Sequence, residues 1–268
     1  MNHLKQTAYK ACAYVNSKLE LENANCCVLE DAKEIDDIYA TYTGPKEFLY
    51  IPPFEEILET IAGDDAVYLG YRINGELVAI AKVSKLELPS SFFVPPKSEG
   101  RGNYYGCSGL LVKEGNRGKH LAQRLVNLTS SIAYVEGGNG IYADFDYRNS
   151  ASMRVISKLF NFVGFTDGRN GAEGEKTIYT TFYLPLKNRE KAQKTKGKNI
   201  KIPCHCAEDA KNNILKVMSQ ASKYCAYKVP YGGEGCYNMI YVMDNVSDFE
   251  RFEISREVEG VKDDEFIK

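Results

Sequence analysis

The spacing of apolar side chains predicts helices and strands along the first part of the chain. Apolar residues at helical intervals predict an amphipathic helix over residues 3–20. The apolar run Cys26–Leu29 predicts a short strand after it. Asp31 is positioned to cap a second helix, which carries Ile35 and Ile38 on one face.

A hairpin and a long loop are predicted next. Two strand-like runs, 66–73 and 77–83, flank Asn74-Gly75, a dipeptide strongly favoured in two-residue hairpin turns. Residues 85–103 contain three prolines and two glycines, which predict an irregular loop. Long loops in compact domains are usually functional or disordered.

The middle of the chain alternates between strand and helix patterns. The predicted elements are a strand over 104–112, a helix from about Gly118 to Tyr134, a strand over 141–147, a helix from Asn149 that carries Met153, Ile156, Phe160 and Val163, and a strand over 177–186. Strands that alternate with helices are typical of sheets with parallel neighbours.

Lysine-rich polar sequence between Lys187 and Lys201 marks the clearest domain boundary. We divide the 268 residues into an N-terminal helix (1–25), a main domain (26–187), a basic linker (188–199) and a C-terminal α/β extension (200–268). A formal net charge of -2 gives no general attraction to nucleic acid or to an anionic membrane, so neither is an expected partner. No apolar run is long enough to span a membrane and no secretory signal is evident, so we expect a cytoplasmic protein with reduced cysteines.

The loop between the central strand and its helix is the main candidate for chemistry. Glycines at 115 and 118 flank Arg117, and Lys119 follows. Glycine permits sharp turns and close approach, and a helix N-terminus attracts phosphate. The pattern lacks the residues of a Walker loop or a Rossmann fingerprint. The alternatives left are an anion-binding loop and an ordinary strand-to-helix turn with incidental basic residues.

Residues further along distinguish these alternatives. Gly115–His120 is followed by the alternating strand 141–147, then by Asn149-Ser150-Ala151-Ser152, and then by Gly164-Phe165. In this order the chain, over about residues 26–187, resembles the GNAT superfamily of N-acetyltransferases. The resemblance implies a GNAT fold of class α/β (α+β), in which helices flank a mixed central sheet, here with a small C-terminal α/β appendage.

The resemblance also implies acetyl-CoA as co-substrate and an amine as acceptor, which could be a small molecule or a protein amine. The implied cofactor-binding residues are Leu110, Leu111, Val112, Asn116, Arg117, Gly118, Lys119, His120, Leu121, Asn149 and Ser152. Gly115 and His120 depart from the family's loop pattern at its two ends. Phe160 stands where many members have a tyrosine that protonates the leaving thiolate.

The catalytic candidates are Tyr105 and Ser108 on the central strand and Asp144 on the next strand. Each could also be an ordinary strand or surface residue. Two other function classes stay open, a non-catalytic acetyl-CoA-binding module and an interaction protein that acts through residues 198–268. We expect no metal, because the spacing of Cys204, His205, Cys206, Cys225 and Cys236 is unlike that of zinc sites. A homodimer is a further expectation.

Overall fold

The computed structural model describes nine stretches of the chain, which carry five α-helices and two β-sheets. The described residues are 3–18, 23–86, 103–146, 149–156, 158–167, 178–186, 199–202, 226–228 and 240–243. The helices are α1 (His3–Lys18), α2 (Ala32–Ala40), α3 (Phe54–Ala62), α4 (Leu121–Val135) and α5 (Ser150–Ile156). The strands of the main sheet are β1 (Ala24–Leu29), β2 (Ala66–Ile73), β3 (Glu76–Leu86), β4 (Tyr104–Val112), β5 (Gly140–Asp146), β6 (Asn161–Asp167) and β7 (Ile178–Pro185). The strands of the second sheet are β8 (Asn199–Ile202), β9 (Ala226–Lys228) and β10 (Ile240–Met243).

The main sheet has seven strands in the order β1-β2-β3-β4-β5-β7-β6. Neighbouring strands are antiparallel except for β4 and β5, which are parallel. A parallel pair needs a crossover connection, and α4 provides it here. The sheet is therefore mixed and has helices on both faces, which confirms the fold class predicted from the sequence.

Hydrophobic clusters cover both faces of this sheet. On one face, α1 and α4 pack against strand residues that include Leu69 and Phe182. On the other face, α2 and α3 pack against Tyr68 and Ile80. Successive residues of a strand point to opposite faces, so Tyr68 and Leu69 enter different clusters. Because apolar packing covers both faces, a polar residue that is nevertheless exposed on this sheet is a candidate for function.

Two local predictions from the sequence are confirmed. Asn74 and Gly75 both have positive φ, 53° and 81°, and join β2 to β3 in a two-residue hairpin. Asp31 caps α2, because its Oδ1 accepts hydrogen bonds from the backbone N–H groups of Lys33 (2.9 Å) and Glu34 (3.4 Å).

The start of α4 differs from the prediction. The helix begins at Leu121 rather than near Gly118. Gly118 and His120 have positive φ, 78° and 61°, and a right-handed helix does not accommodate that conformation. The loop is therefore longer than predicted, and both of these residues belong to it.

The predicted helix after Asn149 is also too long. α5 ends at Ile156, whereas the apolar spacing extended the helix to Val163. The strand β6 begins at Asn161 and pairs with the antiparallel β7. Backbone hydrogen bonds to β7 decide the conformation there, and a helical spacing of apolar residues does not reveal them.

Several predictions lie outside the described residues. They concern most of the loop 85–103, the basic linker, most of the C-terminal α/β extension and the residues between Cys204 and Cys236 that were weighed as zinc ligands. Of the C-terminal part of the chain, the structure describes the short strands β8, β9 and β10. β9 lies against α5 and β6.

Candidate functional site

The parallel strands β4 and β5 separate and leave an open wedge in the main sheet. Their register consists of three residue pairs and ends at Gly106–Tyr142. β4 nevertheless continues to Val112 and β5 to Asp146. Beyond Gly106, the edge of β4 that faces β5 has no ladder partner among the described residues. The N–H and C=O groups of such an edge can bind an extended ligand in the way that they would bind another strand.

Two of the three predicted catalytic side chains lie on the walls of this wedge. Ser108 on β4 and Asp144 on β5 are both exposed. Because Gly106 is paired with Tyr142, residues two further along each strand also share one face of the sheet. The structure therefore brings Ser108 and Asp144 to the same face, on opposite sides of the wedge.

Tyr105, the third candidate, is a packed core residue. Its side chain is buried in the cluster beneath α1 and α4, on the face opposite Ser108. Burial raises the pKa of Tyr105 to about 12 and that of the neighbouring Cys107 thiol to about 11. Phe160 is buried in the same cluster. Packing separates these three side chains from the wedge, and Tyr105 is therefore not retained as a catalytic candidate.

A β-bulge shapes the β4 wall of the wedge. The pairing of β3 with β4 shifts between Ile80 and Lys82, so one residue of β3 faces two residues of β4. Gly109 is one of those two, and its φ of 61° is a conformation that favours glycine. The Oη of Tyr39 on α2 donates a hydrogen bond to the Gly109 carbonyl oxygen at 3.1 Å. A buried side chain of α2 thus fixes the bulge.

The three predicted cofactor-binding residues of β4 begin at this bulge, because Leu110 is its second residue and Leu111 and Val112 follow. Leu111 is buried in the cluster under α2 and α3. Leu110 and Val112 are half-buried and pack against the opposite cluster. Side chains on both faces thus anchor this part of β4, and its backbone groups remain along the wedge. The groups available to a ligand here are therefore the backbone N–H and C=O groups.

The loop between β4 and α4 carries two exposed cations. A short 3₁₀ turn, Glu114–Asn116, opens it. Arg117 and Lys119 are exposed, and Lys119 Nζ donates a hydrogen bond to Asn116 Oδ1 at 2.8 Å. A Cβ atom added at Gly118 would have no neighbouring atom within 4 Å. A ligand can therefore approach the backbone of this loop closely.

The first turn of α4 lacks a capping side chain. His120 occupies the N-cap position, is exposed and makes no capping hydrogen bond. The N–H of Arg124 bonds the carbonyl of His120 at 3.0 Å. The N–H groups of residues 121–123 precede that bond, so the helix itself offers them no partner. Uncapped N–H groups and the helix dipole both favour an anion, and the buried Leu121 holds this turn in place.

Asn149 and Ser152 lie at the start of α5, next to the end of β5. The Oδ1 of Asn149 accepts a hydrogen bond from the backbone N–H of Ser152 at 3.0 Å, as an N-cap does. The Nδ2 of Asn149 donates to the carbonyl oxygen of Phe48 at 3.1 Å. Both ends of this buried amide therefore have protein partners, and it holds the segment after α2 against the β5 side of the wedge.

A second group of polar residues near the wedge was not identified from the sequence. The Oη of Tyr50 donates a hydrogen bond to Glu56 Oε2 at 2.6 Å. The ammonium of Lys82 is 3.7 Å from Glu56 Oε1 and 5.7 Å from the centre of the Tyr68 ring. Lys82 pairs with Ser108 across β3 and β4. The one available signal was that Tyr50 lies in a segment already rich in aromatic residues, between α2 and α3.

Comparisons with known proteins identify this fold. No protein-family profile matches the chain, and no curated protein matches it by sequence. Among solved structures, an N-acetyltransferase from Staphylococcus aureus Mu50 is similar with a TM-score of 0.50 and 14% identity, over 62% of this chain and 99% of that one. Arabidopsis thaliana NAA60 in complex with acetyl-CoA is similar with a TM-score of 0.51 and 17% identity, over 62% of this chain and 99% of that one.

At these identities the likeness establishes the fold. The chain has the fold of GNAT N-acetyltransferases, as the resemblance in its sequence predicted. The similar structures are covered almost entirely, so this chain contains the whole fold together with additional residues.

Proposed function

We propose that this protein is an acyl-CoA-dependent N-acyltransferase that transfers an acetyl group from acetyl-CoA to an amine. The observation that carries the proposal is the continuity of the site. An open strand edge on β4 leads, past the bulge at Gly109, to the uncapped start of α4 beside Arg117 and Lys119. The solved complex of the Arabidopsis protein with acetyl-CoA supports this choice of ligand.

In this proposal the loop and the start of α4 bind the pyrophosphate of the co-substrate. The backbone N–H groups of residues 118–123 would donate hydrogen bonds to it, and the helix dipole would add a favourable electrostatic field. The N–H groups of Asn116 and Arg117 already donate to the carbonyl oxygens of Lys113 and Glu114. Arg117 and Lys119 would neutralise its charge. His120 would contribute its backbone and keep its side chain in solvent, consistent with its exposure.

The wedge would hold the pantetheine arm. Residues 110–112 would pair their backbone groups with it, and a backbone N–H on this edge of β4 would donate a hydrogen bond to the thioester carbonyl. Ser108 and Asp144 would flank the reacting carbon, with Asp144 as a candidate acceptor of the amine proton. Asn149 and Ser152 would act at the same end of the wedge, where Asn149 positions the segment around Phe48.

A second candidate is a non-catalytic acetyl-CoA-binding module. Phe160 favours it, because a phenyl ring in the core cannot donate a proton to a leaving thiolate. However, a thiolate is a good leaving group, so the absence of a proton donor at that position does not prevent turnover.

Titration calorimetry with acetyl-CoA, followed by a thiol-release assay with a panel of amines, separates the candidates. The proposal expects both binding and release of CoA thiol that depends on the amine. Binding without release on any amine would favour the module. No binding at all would overturn both. The variant Lys113→Ala controls for the loss of a cation outside the site and should behave as the wild type does, since Lys113 pairs with Glu76 at 2.8 Å and has no part in the proposed site.

Compartment and assembly complete the proposal. Among the described helices, none has both the length and the apolar composition needed to cross a membrane. We propose a cytoplasmic location, where the free thiols of Cys12, Cys26, Cys27 and Cys107 would remain reduced. A homodimer remains an expectation, and gel filtration with light scattering would test it.

A further inference from the structure

Two cysteine thiols lie in contact between the N-terminal helix and the first strand of the main sheet. Cys12 on α1 is 3% exposed, and Cys26 on β1 is 2% exposed. The Sγ of Cys26 donates to the carbonyl oxygen of Cys12 at 3.9 Å, and the two thiols hydrogen-bond each other. Both cysteines are free, so the contact joins two reduced sulfur atoms.

Asn16 holds the backbone of Cys26 against the same helix. β1 is the first strand in the sheet order, so one of its edges has no strand partner among the described residues. At that edge the Nδ2 of Asn16 donates to the Cys26 carbonyl oxygen at 2.8 Å, and the Cys26 N–H donates to the Asn16 Oδ1 at 2.7 Å. Cys12 and Asn16 are four residues apart on α1 and so share one face of the helix. The backbone and the thiol of Cys26 are therefore both fixed relative to α1.

Cys27 and Cys107 have different surroundings. Successive residues of a strand point to opposite faces, so Cys27 packs against the cluster beneath α2 and α3, and its Sγ donates to Gly70 O at 3.8 Å. Cys107 is buried in the same cluster as Cys12, but its thiol hydrogen-bonds Thr129. Among the described cysteines, Cys12 and Cys26 are thus the pair whose thiols meet.

We propose that Cys12 and Cys26 are a redox-sensitive pair that forms a reversible disulfide with a small-molecule disulfide, such as oxidised glutathione, as the oxidant. The bond links α1 covalently to β1 and holds the N-terminal helix on the sheet. The reduced pair is the resting state, in agreement with a cytoplasmic location. The inference is independent of the proposed acyl transfer, because β2 and β3 separate β1 from the strand that borders the wedge.

The reaction exchanges one disulfide for another. The thiolate of one cysteine attacks a sulfur of oxidised glutathione, forms a mixed disulfide and releases one glutathione thiolate. The thiolate of the other cysteine then attacks the protein sulfur of that mixed disulfide and releases the second. The protein gives up two protons and two electrons, and the glutathione disulfide is reduced to two thiols. Excess reduced glutathione reverses both steps.

Opening of α1 is the first step, because both thiols are buried. The hydrogen bond to Cys26 and burial together hold the pKa of the Cys12 thiol above its ordinary range, so the closed pair is protonated and unreactive. Local opening of a terminal helix exposes such groups at a lower free energy than global unfolding does. When Asn16 binds Cys26 again, the second thiol returns to the mixed disulfide, and its effective concentration there is high.

The test follows oxidation of the full chain in glutathione buffers of defined ratio. Free thiols are trapped by alkylation, and cross-linked peptides are identified by mass spectrometry. Cys26→Ala and Cys27→Ala form a matched pair, since they remove neighbouring thiols on opposite faces of β1. Cys27 is the more exposed of the two, so a reaction governed by exposure alone would select it. Cys27→Ala also leaves Cys26 as the one sulfur in its tryptic peptide, residues 19–33.

We expect the peptides of Cys12 and Cys26 to become cross-linked within one chain, both in the wild type and in Cys27→Ala. Reduced glutathione in excess should separate them again. Oxidation should lower the equilibrium constant for unfolding at least about tenfold, seen as a higher urea midpoint, because the cross-link restricts the unfolded chain. Cys26→Ala and Cys12→Ala should each show neither the cross-link nor the higher midpoint.

Asn16→Ala tests the positioning role of the amide. Loss of its two hydrogen bonds to Cys26 should let α1 open more often, so the cross-link should form faster. The same loss should lower the effective concentration of the two thiols, so half-conversion should need a more oxidising glutathione ratio. A purely structural role would not move the rate and the ratio in these opposite directions.

Three results would overturn the inference. The first is the absence of a Cys12–Cys26 cross-link at every glutathione ratio at which the protein stays folded. The second is a mixed disulfide on Cys27, or a cross-link between two chains, in its place. The third is an equal rise of the urea midpoint in oxidised Cys26→Ala, which would assign the effect to other cysteines.

Discussion

The hydrogen bond between Tyr39 and the bulge of β4 can be tested by a double-mutant cycle. Tyr39 is 1% exposed, and its Oη donates to the Gly109 carbonyl oxygen at 3.1 Å. A Cβ at Gly109 would collide with that same oxygen, while the next atom of the ring, Cζ, would be 3.6 Å away. Tyr39→Phe removes the oxygen, and Gly109→Ala displaces it. Both single variants thus break one interaction.

The expected losses of unfolding free energy follow from this shared contact. Tyr39→Phe leaves a carbonyl acceptor unpaired next to the core, which costs about 1–3 kcal/mol of unfolding free energy. Gly109→Ala costs that amount and a further ~1–2 kcal/mol, because alanine is strained at a φ of 61°. In the Tyr39→Phe background, Gly109→Ala should cost only the strain. The coupling free energy between the two sites is therefore about 1–3 kcal/mol.

Urea unfolding followed by far-ultraviolet circular dichroism measures all four free energies, since the chain has no tryptophan. Tyr42→Phe is the matched control, because the hydroxyl of Tyr42 donates to Pro45 O at 2.9 Å in an exposed position. Water replaces that bond, so we expect a change below about 0.5 kcal/mol. Strict additivity of the Tyr39 and Gly109 changes would refute the reasoning, as would a Tyr42→Phe loss as large as that of Tyr39→Phe.

Three further predictions concern the site and its surroundings. Arg117→Ala and Lys119→Ala should each weaken acetyl-CoA binding about three- to tenfold, and the loss should be smaller at high salt. Lys113→Ala should leave acetyl-CoA binding unchanged. Calorimetry at two salt concentrations checks both expectations. Asn149→Ala should lower the unfolding free energy by about 1–2 kcal/mol and raise KM for the amine. An equal loss of acetyl-CoA affinity in that variant would instead point to a direct contact with the co-substrate. Burial raises the pKa of Tyr105 from 10.0 to about 12, so the unfolded chain loses this proton at a lower pH than the folded protein does. The unfolding free energy should therefore fall as pH rises from about 10 to 12. In a pH titration, the tyrosinate absorbance of the folded protein should rise at higher pH than that of the unfolded chain, and ionisation of every tyrosine near pH 10 in the folded protein would contradict this.

Local signals in the sequence were sufficient for several elements of the fold. Asn74-Gly75 predicted the hairpin, and Asp31 predicted the start of α2, because each acts on backbone within a few residues of itself. Leu110, Leu111 and Val112 predicted a strand through their apolar run. Such signals depend on intrinsic backbone preferences, which do not require the rest of the chain.

Boundaries that depend on distant partners were not predictable in this way. The residues after Ile156 continue a helical spacing of apolar side chains, yet β6 forms there because β7 supplies backbone partners. The bulge at Gly109 depends on pairing with β3 and on the hydroxyl of Tyr39, 70 residues away. No periodicity within β4 records either contact.

By itself, the sequence determined the order of the elements, the basic glycine loop and the resemblance to GNAT proteins, since short motifs and their order along the chain carry each of them. Only the tertiary structure decided which candidates share a site. It put Ser108 and Asp144 on one face of an open wedge and buried Tyr105 on the other. It also brought Tyr50 and Glu56 together beside Lys82 of β3. The physical reason is that strand pairing and the packing of α2 and α3 set these distances, and both involve residues far apart in the chain.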